Sequence, residues 1–379
     1  MRSGLSRNDV QRRMKELVEA LFVNIPSGVG SHRKDLKLNR EEERKVFLKG
    51  ARWAVERGFG SQEDLDHIEE QGCLPGADPD RVSDKALERG RAQLGTVGSG
   101  NHFVEVGYVS EVYDEAAARA MGLWKDQATV FVHTGSRGLG HQVCDDYIRV
   151  MMDAARKYDI ELPDPQLCCA PVSSREGERY LQAMACAANF AFTNRQMITH
   201  WVRETFEQVF RMGPRDLGLH LIYDVCHNIA KIETHQVDDK KRKLCVHRKG
   251  ATRAFPAQHP DIPQDYKTIG QPVLIPGDMG RCSFVLRGTA KAMEETFGST
   301  CHGAGRVMSR HQAIKAAKGR AIVRELEDKG IIVRGASRGT IVEEIPDAYK
   351  DVNDVVNVVH QAGISQKVVK LIPLGVIKG

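Results

Sequence analysis

Residues 128–143, ATVFVHTGSRGLGHQV, change character halfway along the segment. Residues 130–132 form a short apolar run, which is typical of a buried strand. The run breaks at His133 into a loop of glycine, serine and arginine. The same form recurs at residues 217–233, LGLHLIYDVCHNIAKIE, and at residues 271–284, QPVLIPGDMGRCSF. Strand-like runs that end in polar or glycine loops predict a mixed α/β protein whose chemistry lies at strand ends.

Other segments have the apolar spacing of helices. Ser6, with Asp9 three residues later, predicts a capped helix start. Ser309 and Gly330 similarly predict the start and end of a later helix. The remaining predictions are a helix that includes 41–58, one long helix or a pair over 178–210, a helix within 343–363 and a strand within 367–379. Because no repeat, low-complexity segment or linker interrupts the pattern, residues 1–379 are predicted to form one domain.

The composition excludes several classes of protein. Hydrophobic residues make up 41% of the 379 residues and charged residues 28%, and the net charge is +5. No apolar run approaches the roughly 20 residues that span a bilayer, and the start lacks the apolar core of a signal peptide. The 9 cysteines include no C-x-x-C pair, which argues against a disulfide framework or a zinc ribbon. We therefore expect a cytoplasmic protein without a membrane partner.

Three histidines stand where strand-like runs meet loops: His102, His133 and His227. Neutral imidazole is the commonest transition-metal ligand, and ligands from separate strand ends can converge on one ion. One interpretation is therefore a Mn, Zn or Fe site. The alternative is that each histidine is hydrogen-bonded locally, since no short H-x-x-x-H pattern connects them.

Asn101 and Glu105 flank His102 in GSGNHFVEV. If HFVE is a strand, Glu105 and His102 point to opposite faces, because three positions change the parity. Glu105 could orient a ligand or contact a nucleotide base. The sequence alone favours an ordinary surface carboxylate.

Glycine-rich loops and basic residues suggest a phosphate site. The loops, at 98–100, 135–140, 276–280 and 303–305, let backbone N–H groups face a phosphate, although none fits the Walker or dinucleotide patterns. The candidate phosphate contacts are Arg137, Arg248, Lys249, Arg253 and Arg306. Lys240–Lys243 is predicted to be a solvated hairpin turn.

His302 opens the last of these loops, in CHGAG. Histidine can act as a covalent nucleophile, and a phosphoryl group on its nitrogen is a good donor for later transfer. Attack on a nucleotide α-phosphate also needs metal ions, close backbone and cationic groups. From the residues alone, the chain is a candidate metal-assisted phosphoryl or nucleotidyl transferase.

Taken in order, seven motifs resemble the RtcB family of RNA-splicing ligases over essentially the whole chain. They are GSGNHFVEV, HTGSRGLGHQV, CHNIAK, HRKGATRA, PGDMGRCSF, CHGAGRVMSR and PLGVIKG. The resemblance implies that family's α/β architecture, with the site in a central cleft between β-sheets. It also implies a GTP- and Mn²⁺-dependent ligase that joins an RNA 3′-phosphate or 2′,3′-cyclic phosphate to a 5′-hydroxyl, in tRNA splicing or RNA repair.

The resemblance also implies a role for particular residues. His302 corresponds to the guanylylated histidine, and His102, His133 and His227 correspond to metal ligands. The positions that correspond to guanylate contacts are Asn101, His102, Phe103, Val104, Glu105, His227, Asn228, Pro276, Gly277, Asp278, Met279, Ser283, His302, Gly303, Ala304, Gly305, Tyr349 and Lys378. RNA would be the partner, and the sequence does not indicate an accessory protein.

Two features depart from the family pattern. Family members carry a D-x-x-C-G motif whose Asp and Cys complete a two-metal site, and no such motif occurs in this sequence. The chain is therefore expected to be truncated at the N-terminus relative to the family, with the second metal in question. Asp278 stands where many members have serine. The alternatives are an inactive nucleotide- or RNA-binding remnant and a zinc hydrolase, which would leave the HGAG loop and Lys378 unexplained.

Overall fold

A computed structural model describes residues 1–33 and 36–379. The strands are β1 Arg2–Ser6, β2 Phe103–Val112, β3 Gln127–His133, β4 Asn228–Val237, β5 Lys240–Lys249, β6 Ala251–Arg253, β7 Pro272–Ile275, β8 Ser283–Gly288, β9 Ser299–Cys301, β10 Ile332–Gly335 and β11 Ser365–Lys378. The first helices are α1 Arg7–Gln11, α2 Met14–Asn24, α3 Arg40–Lys49, α4 Ala51–Val55, α5 Gln62–Asp66, α6 Asp84–Gly90, α7 Glu115–Ala120 and α8 Arg137–Lys157. The later helices are α9 Arg175–Phe210, α10 Pro214–Leu217, α11 Ala290–Thr296, α12 Arg310–Ala316, α13 Ile322–Glu327, α14 Arg338–Val342 and α15 Val352–Gln361. The predicted mixed α/β class is confirmed.

The main sheet has the strand order β1-β3-β2-β11-β8-β7, with β10 added beside β11. Strand β11 comes last in the chain, yet it pairs antiparallel with β2 and β8 and parallel with β10. Two small antiparallel pairs, β4–β5 and β6–β9, stand apart from this sheet. The carboxyl end of β11 therefore meets the start of β2, where Lys378 lies opposite Phe103.

Local sequence explains most of the helix boundaries. Ser6 accepts from the backbone N–H of Asp9, and Asp9 bonds back to Ser6, so the predicted capping box is present. Ser309 caps α12 in the same way, with Gln312. The predicted helix over 41–58 is two helices, because Gly50 breaks it at φ +55°.

The predicted long helix is a single one, α9, with 36 residues. Its buried face includes Phe190, Met197, Val202 and Phe206, which pack into the apolar cores on this side of the main sheet. No helix in residues 1–33 and 36–379 is long and apolar enough to cross a membrane.

Three further predictions about elements were wrong. Residues 219–227 do not form a strand, and β4 begins only after His227. Lys240–Lys243 is not the hairpin turn but the start of β5, because the chain reverses at Asp238 and Asp239, both at positive φ. The helix predicted over 309–330 is divided into α12 and α13 around Gly319, at φ +82°.

Candidate active site

Three histidines from separate parts of the chain meet beside the main sheet. His133 ends β3, His227 directly precedes β4, and His302 directly follows β9. The rings of His227 and His302 stack at 3.7 Å between centroids, and His133 lies edge-on to each of them at 5.1 Å. Their ligand nitrogens all lie within 4.8 Å of one another, a spacing that one metal ion can bridge.

His102 stands beside this cluster. Its ring centroid is 5.9 Å from that of His133, and it directly precedes β2. The metal-compatible group in the described residues thus contains His302 where the sequence analysis placed His102. His102 faces Arg137, and Gly98 makes this possible, because a Cβ there would lie 2.0 Å from His102 Nδ1 and 2.1 Å from Arg137 Nη1.

Burial keeps these imidazoles neutral. Burial lowers the pKa of His102 to about 3 and that of His227 to about 4, with nearby cations adding to the effect. The pKa values of His133 and His302 also lie well below the usual range, mainly because of burial. Neutral imidazole has the free lone pair that a metal or an electrophilic phosphorus requires. Both ring nitrogens of His302 and Nδ1 of His102 are buried with no hydrogen-bond partner among the described residues.

A cavity of about 320 Å³ opens directly from the histidine cluster. It lies between the main sheet, the β4–β5 hairpin and the loop after β9, so the expected cleft between β-sheets is present. The predicted site residues on its wall are Asn101, Phe103, Glu105, His133, His227, Asn228, Lys249, Pro276, Gly277, Asp278, Met279, His302, Gly303, Ala304, Gly305, Arg306, Tyr349 and Lys378. Positions up to 277 residues apart in sequence, Asn101 and Lys378, thus share one wall.

Other predicted residues lie elsewhere. Val104 points into the apolar core on the opposite face of β2 from Phe103 and Glu105. Ser283 stands behind the wall, where its hydroxyl accepts from the Gly277 N–H at 3.2 Å and bonds to Glu105.

The predicted phosphate contacts fall into two groups, those that are paired with protein side chains and those that line the cavity. The guanidinium of Arg248 is buried against the Glu233 carboxylate, at 2.6 and 2.9 Å. Arg253 is buried too, and it donates to the side chains of Gln271 and Tyr223. Both side chains are occupied by protein partners, and neither lines the cavity, whereas Lys249 lines it with an exposed side chain.

Glu105 is not the surface carboxylate that the sequence favoured. Its residue is 3% exposed. Burial and the neighbouring carboxyl of Asp278 raise the pKa of Glu105 to about 8. Burial also raises the pKa of Asp278, which bonds to Arg281 at 2.8 Å. A carboxyl that is protonated near neutral pH can donate a hydrogen bond to a ligand as well as accept one.

Glu344 lies within an unremarkable EE pair and was not predicted as a site residue. This buried carboxylate accepts from Arg306 Nη1 at 3.0 Å and from the Tyr349 hydroxyl, and it lies 4.0 Å from Lys378 Nζ. Glu344 therefore fixes three side chains of the cavity wall at once. Burial lowers the pKa of Lys378 to about 8, although Glu344 opposes this effect.

A second, open groove of about 590 Å³ begins on the other side of the histidines. His102 and Arg137 lie at its inner end, and Arg137 bonds to Thr96, Gly28 and Ser31. Arg195, also missed, lines the groove and bonds to Asp224 through Nε at 2.7 and 2.9 Å. Cationic side chains thus stand beside the histidines on this side.

The fold and the site together define a class of protein in which a cavity of about 320 Å³ and an open groove with cationic side chains meet at neutral histidines that can bind a metal. Comparison with known proteins is more specific. A family model described as tRNA-splicing ligase RtcB matches residues 1–379. The chain belongs to that family.

Curated relatives named tRNA-splicing ligase RtcB match over the whole chain. The protein of Archaeoglobus fulgidus is 56% identical over 379 residues, which are 78% of its length. That of Thermococcus kodakarensis is 54% identical and is also covered to 78%. That of Methanocaldococcus jannaschii is 55% identical, but this chain spans only 39% of it.

Proposed function

We propose that the chain is an RNA ligase that joins a 3′-phosphate or 2′,3′-cyclic phosphate end to a 5′-hydroxyl end through a guanylylated His302. The observation that carries the proposal is that His302 stands at the junction of the cavity and the metal-compatible group, with both ring nitrogens buried and unpartnered in the described residues. A nucleophile requires such a free nitrogen. Family membership and the relatives' shared name support tRNA splicing as the setting.

Three steps follow for GTP and RNA as substrates. A ring nitrogen of His302 attacks the α-phosphorus of GTP, so a P–N bond forms and the bond to the pyrophosphate breaks. An oxygen of the RNA 3′-phosphate then attacks the same phosphorus, which frees His302 and leaves the guanylate on the RNA. Finally the RNA 5′-hydroxyl attacks the activated 3′-phosphate, and GMP leaves. A cyclic phosphate end is first opened by water.

The chain's own residues have distinct parts in this scheme. Glu105, Tyr349 and Lys378 line the end of the cavity that would hold the nucleotide, and Glu344 fixes the latter two. Stacking on His227 orients the ring of His302. The neutral nitrogens of the histidine cluster fit Mn²⁺, which when bound would neutralise charge that develops on phosphorus. His133 and His227 would hold it beside His302.

Intact-mass spectrometry after incubation with GTP and Mn²⁺, kept away from acid, tests the proposal. We expect a mass gain of one guanylate, and the gain should fall to background in His302→Ala. His360→Ala, on the remote helix α15, is the control and should keep the adduct. An adduct that persists in His302→Ala would show that the nucleophile is a different residue. The absence of an adduct in the unmodified chain would contradict the proposed first step.

A further inference from the structure

The β4–β5 hairpin has one buried and one exposed face. Directly opposite residues of an antiparallel pair share a face, and the register places Asn228 opposite Lys249 and Gln236 opposite Lys241. The buried face includes Lys231, His235, Val246 and Arg248. The exposed residues on the other face are Asn228, Ile232, Thr234, Gln236, Lys241, Lys243, His247 and Lys249.

A row of cations runs along this exposed face. Lys241 and Lys243 are two positions apart on β5, and His247 and Lys249 lie on the same face beyond Cys245. Alternate residues of a strand are about 6.8 Å apart, so the row extends over about 27 Å. Within the described residues these three lysines have no ion-pair partner. The acidic residue of the two strands, Glu233, lies on the buried face and is paired with Arg248, and the turn between the strands carries Asp238 and Asp239.

The row leads into the active site. Its inner end, Lys249, lines both the nucleotide cavity and the open groove, as does Asn228 opposite it. His247 and Ala230, one step further out, also line the groove. Lys243 and Lys241 continue the same line toward the hairpin tip. The gap in the row at Cys245 faces Ile232, which is 51% exposed and offers an apolar surface to a base.

We infer that this face guides a single-stranded RNA end into the groove, with the backbone phosphates following Lys249, His247, Lys243 and Lys241. The inference rests on the proposed function, and it names the surface that would hold the substrate outside the reacting site. A positively charged track beside an exposed apolar side chain suits the phosphates and bases of a single strand. Lys241 and Lys243 would act by counterion release, so their effect should be independent of base sequence.

Fluorescence anisotropy with a labelled long oligouridine tests the inference. In Lys241→Gln/Lys243→Gln, affinity should fall roughly tenfold at about 0.15 M salt, and the slope of log K against log salt should shrink by about 1.4. Binding of a dinucleotide, too short to reach these lysines, should not change. Lys240→Gln/Arg242→Gln removes the same charge from the same strand on the opposite face and is the matched control. Lys241→Arg/Lys243→Arg should bind as the unmodified chain does.

Equal losses in the test and control variants would overturn the inference, because they would reflect net charge rather than the row. So would an equal loss for the dinucleotide. Oligouridines with a 3′-phosphate and with only a free 5′-hydroxyl show which end the row guides, and a loss for neither also overturns it. Guanylylation of the unmodified chain is scored separately. Its absence would contradict the proposed function, while the binding comparison would still decide the inference about the row.

Discussion

Glu105 illustrates how a side chain acquires its chemistry from its surroundings. In the sequence it is one of 50 acidic residues, three positions after His102. His102, which precedes β2, lines the groove, whereas Phe103 and Glu105 line the cavity. Its burial could not be foreseen, because Asp278 and Ser283, which surround it, come from a different part of the chain.

The raised pKa of Glu105 predicts a pH-dependent stability. The folded chain holds the Glu105 proton up to about pH 8, whereas the unfolded chain releases it above its usual value of 4.5. Folding therefore takes up a proton in this window, and the contribution of Glu105 to stability is lost as the pH rises through it. As the pH rises from 5 to 8, the free energy of unfolding of Glu105→Gln should therefore increase relative to that of the unmodified chain, by up to about 1.4 kcal/mol per pH unit.

Urea unfolding of the metal-free proteins at several pH values measures this difference. Glu111→Gln makes the same substitution at an exposed position of β2, where Lys370 lies 3.2 Å away, and should show no such gain. A stability difference for Glu105→Gln that stays constant from pH 5 to 8 would contradict the burial argument.

Helix α9 shows what can be predicted for an element. Its existence follows from the apolar periodicity, and the structure adds a cap at Ser174. Its position in the fold cannot be predicted from this periodicity, because it depends on two asparagines that are fully buried. In the sequence these two residues cannot be distinguished from exposed polar residues. Asn189 bonds to the backbone of Leu74 and Phe47. Asn194 bonds to the backbone N–H and C=O of Thr96 and to the C=O of Gly135. It therefore connects α9 to the loop that precedes His102 and to the loop that follows His133.

These two asparagines form a matched pair for a test. Asn194→Ala and Asn189→Ala each leave buried backbone groups unpaired, and each should cost roughly 2–5 kcal/mol of unfolding free energy. Only Asn194→Ala should also weaken the attachment of the loops next to His102 and His133. It should therefore lower the rate of guanylylation at least tenfold more than Asn189→Ala does. Chemical denaturation and the rate of mass gain with GTP measure the two effects. Equal rates in two equally destabilised proteins would show that Asn194 is merely structural.

At the scale of the whole molecule, the sequence predicted the class of fold but not its topology. The resemblance placed Lys378 in the site, and the strand order gives the physical reason. Strand β11 runs between β2 and β8 and carries Lys378 to the cavity, where its ammonium donates to the Gly100 C=O at 2.9 Å. Pairings across more than 250 residues leave no trace in local periodicity. The single-domain assignment and the N-terminal truncation stay predictions.

The central position of β11 predicts a late folding event. Ribosome-bound chains that expose residues 1–364 should remain sensitive to protease and show no guanylylation, because β2 and β8 lack the strand between them. Chains that expose residues 1–379 should gain both protection and the adduct. Stalled complexes with linkers that clear the exit tunnel allow the comparison. Protection of the shorter chain would show that the sheet closes without β11.

This order of assembly has a consequence for translation. The ribosome adds the 14 residues of β11 within about 1–3 s at ordinary elongation rates. Until then the histidines exist on a polypeptide whose sheet is open in the middle, with two strand edges available to other nascent chains. Messages that are broken or stalled upstream of the codon for Ser365 would yield products that lack the middle strand of the main sheet. Addition of β11 would itself close the sheet beside which the candidate site lies.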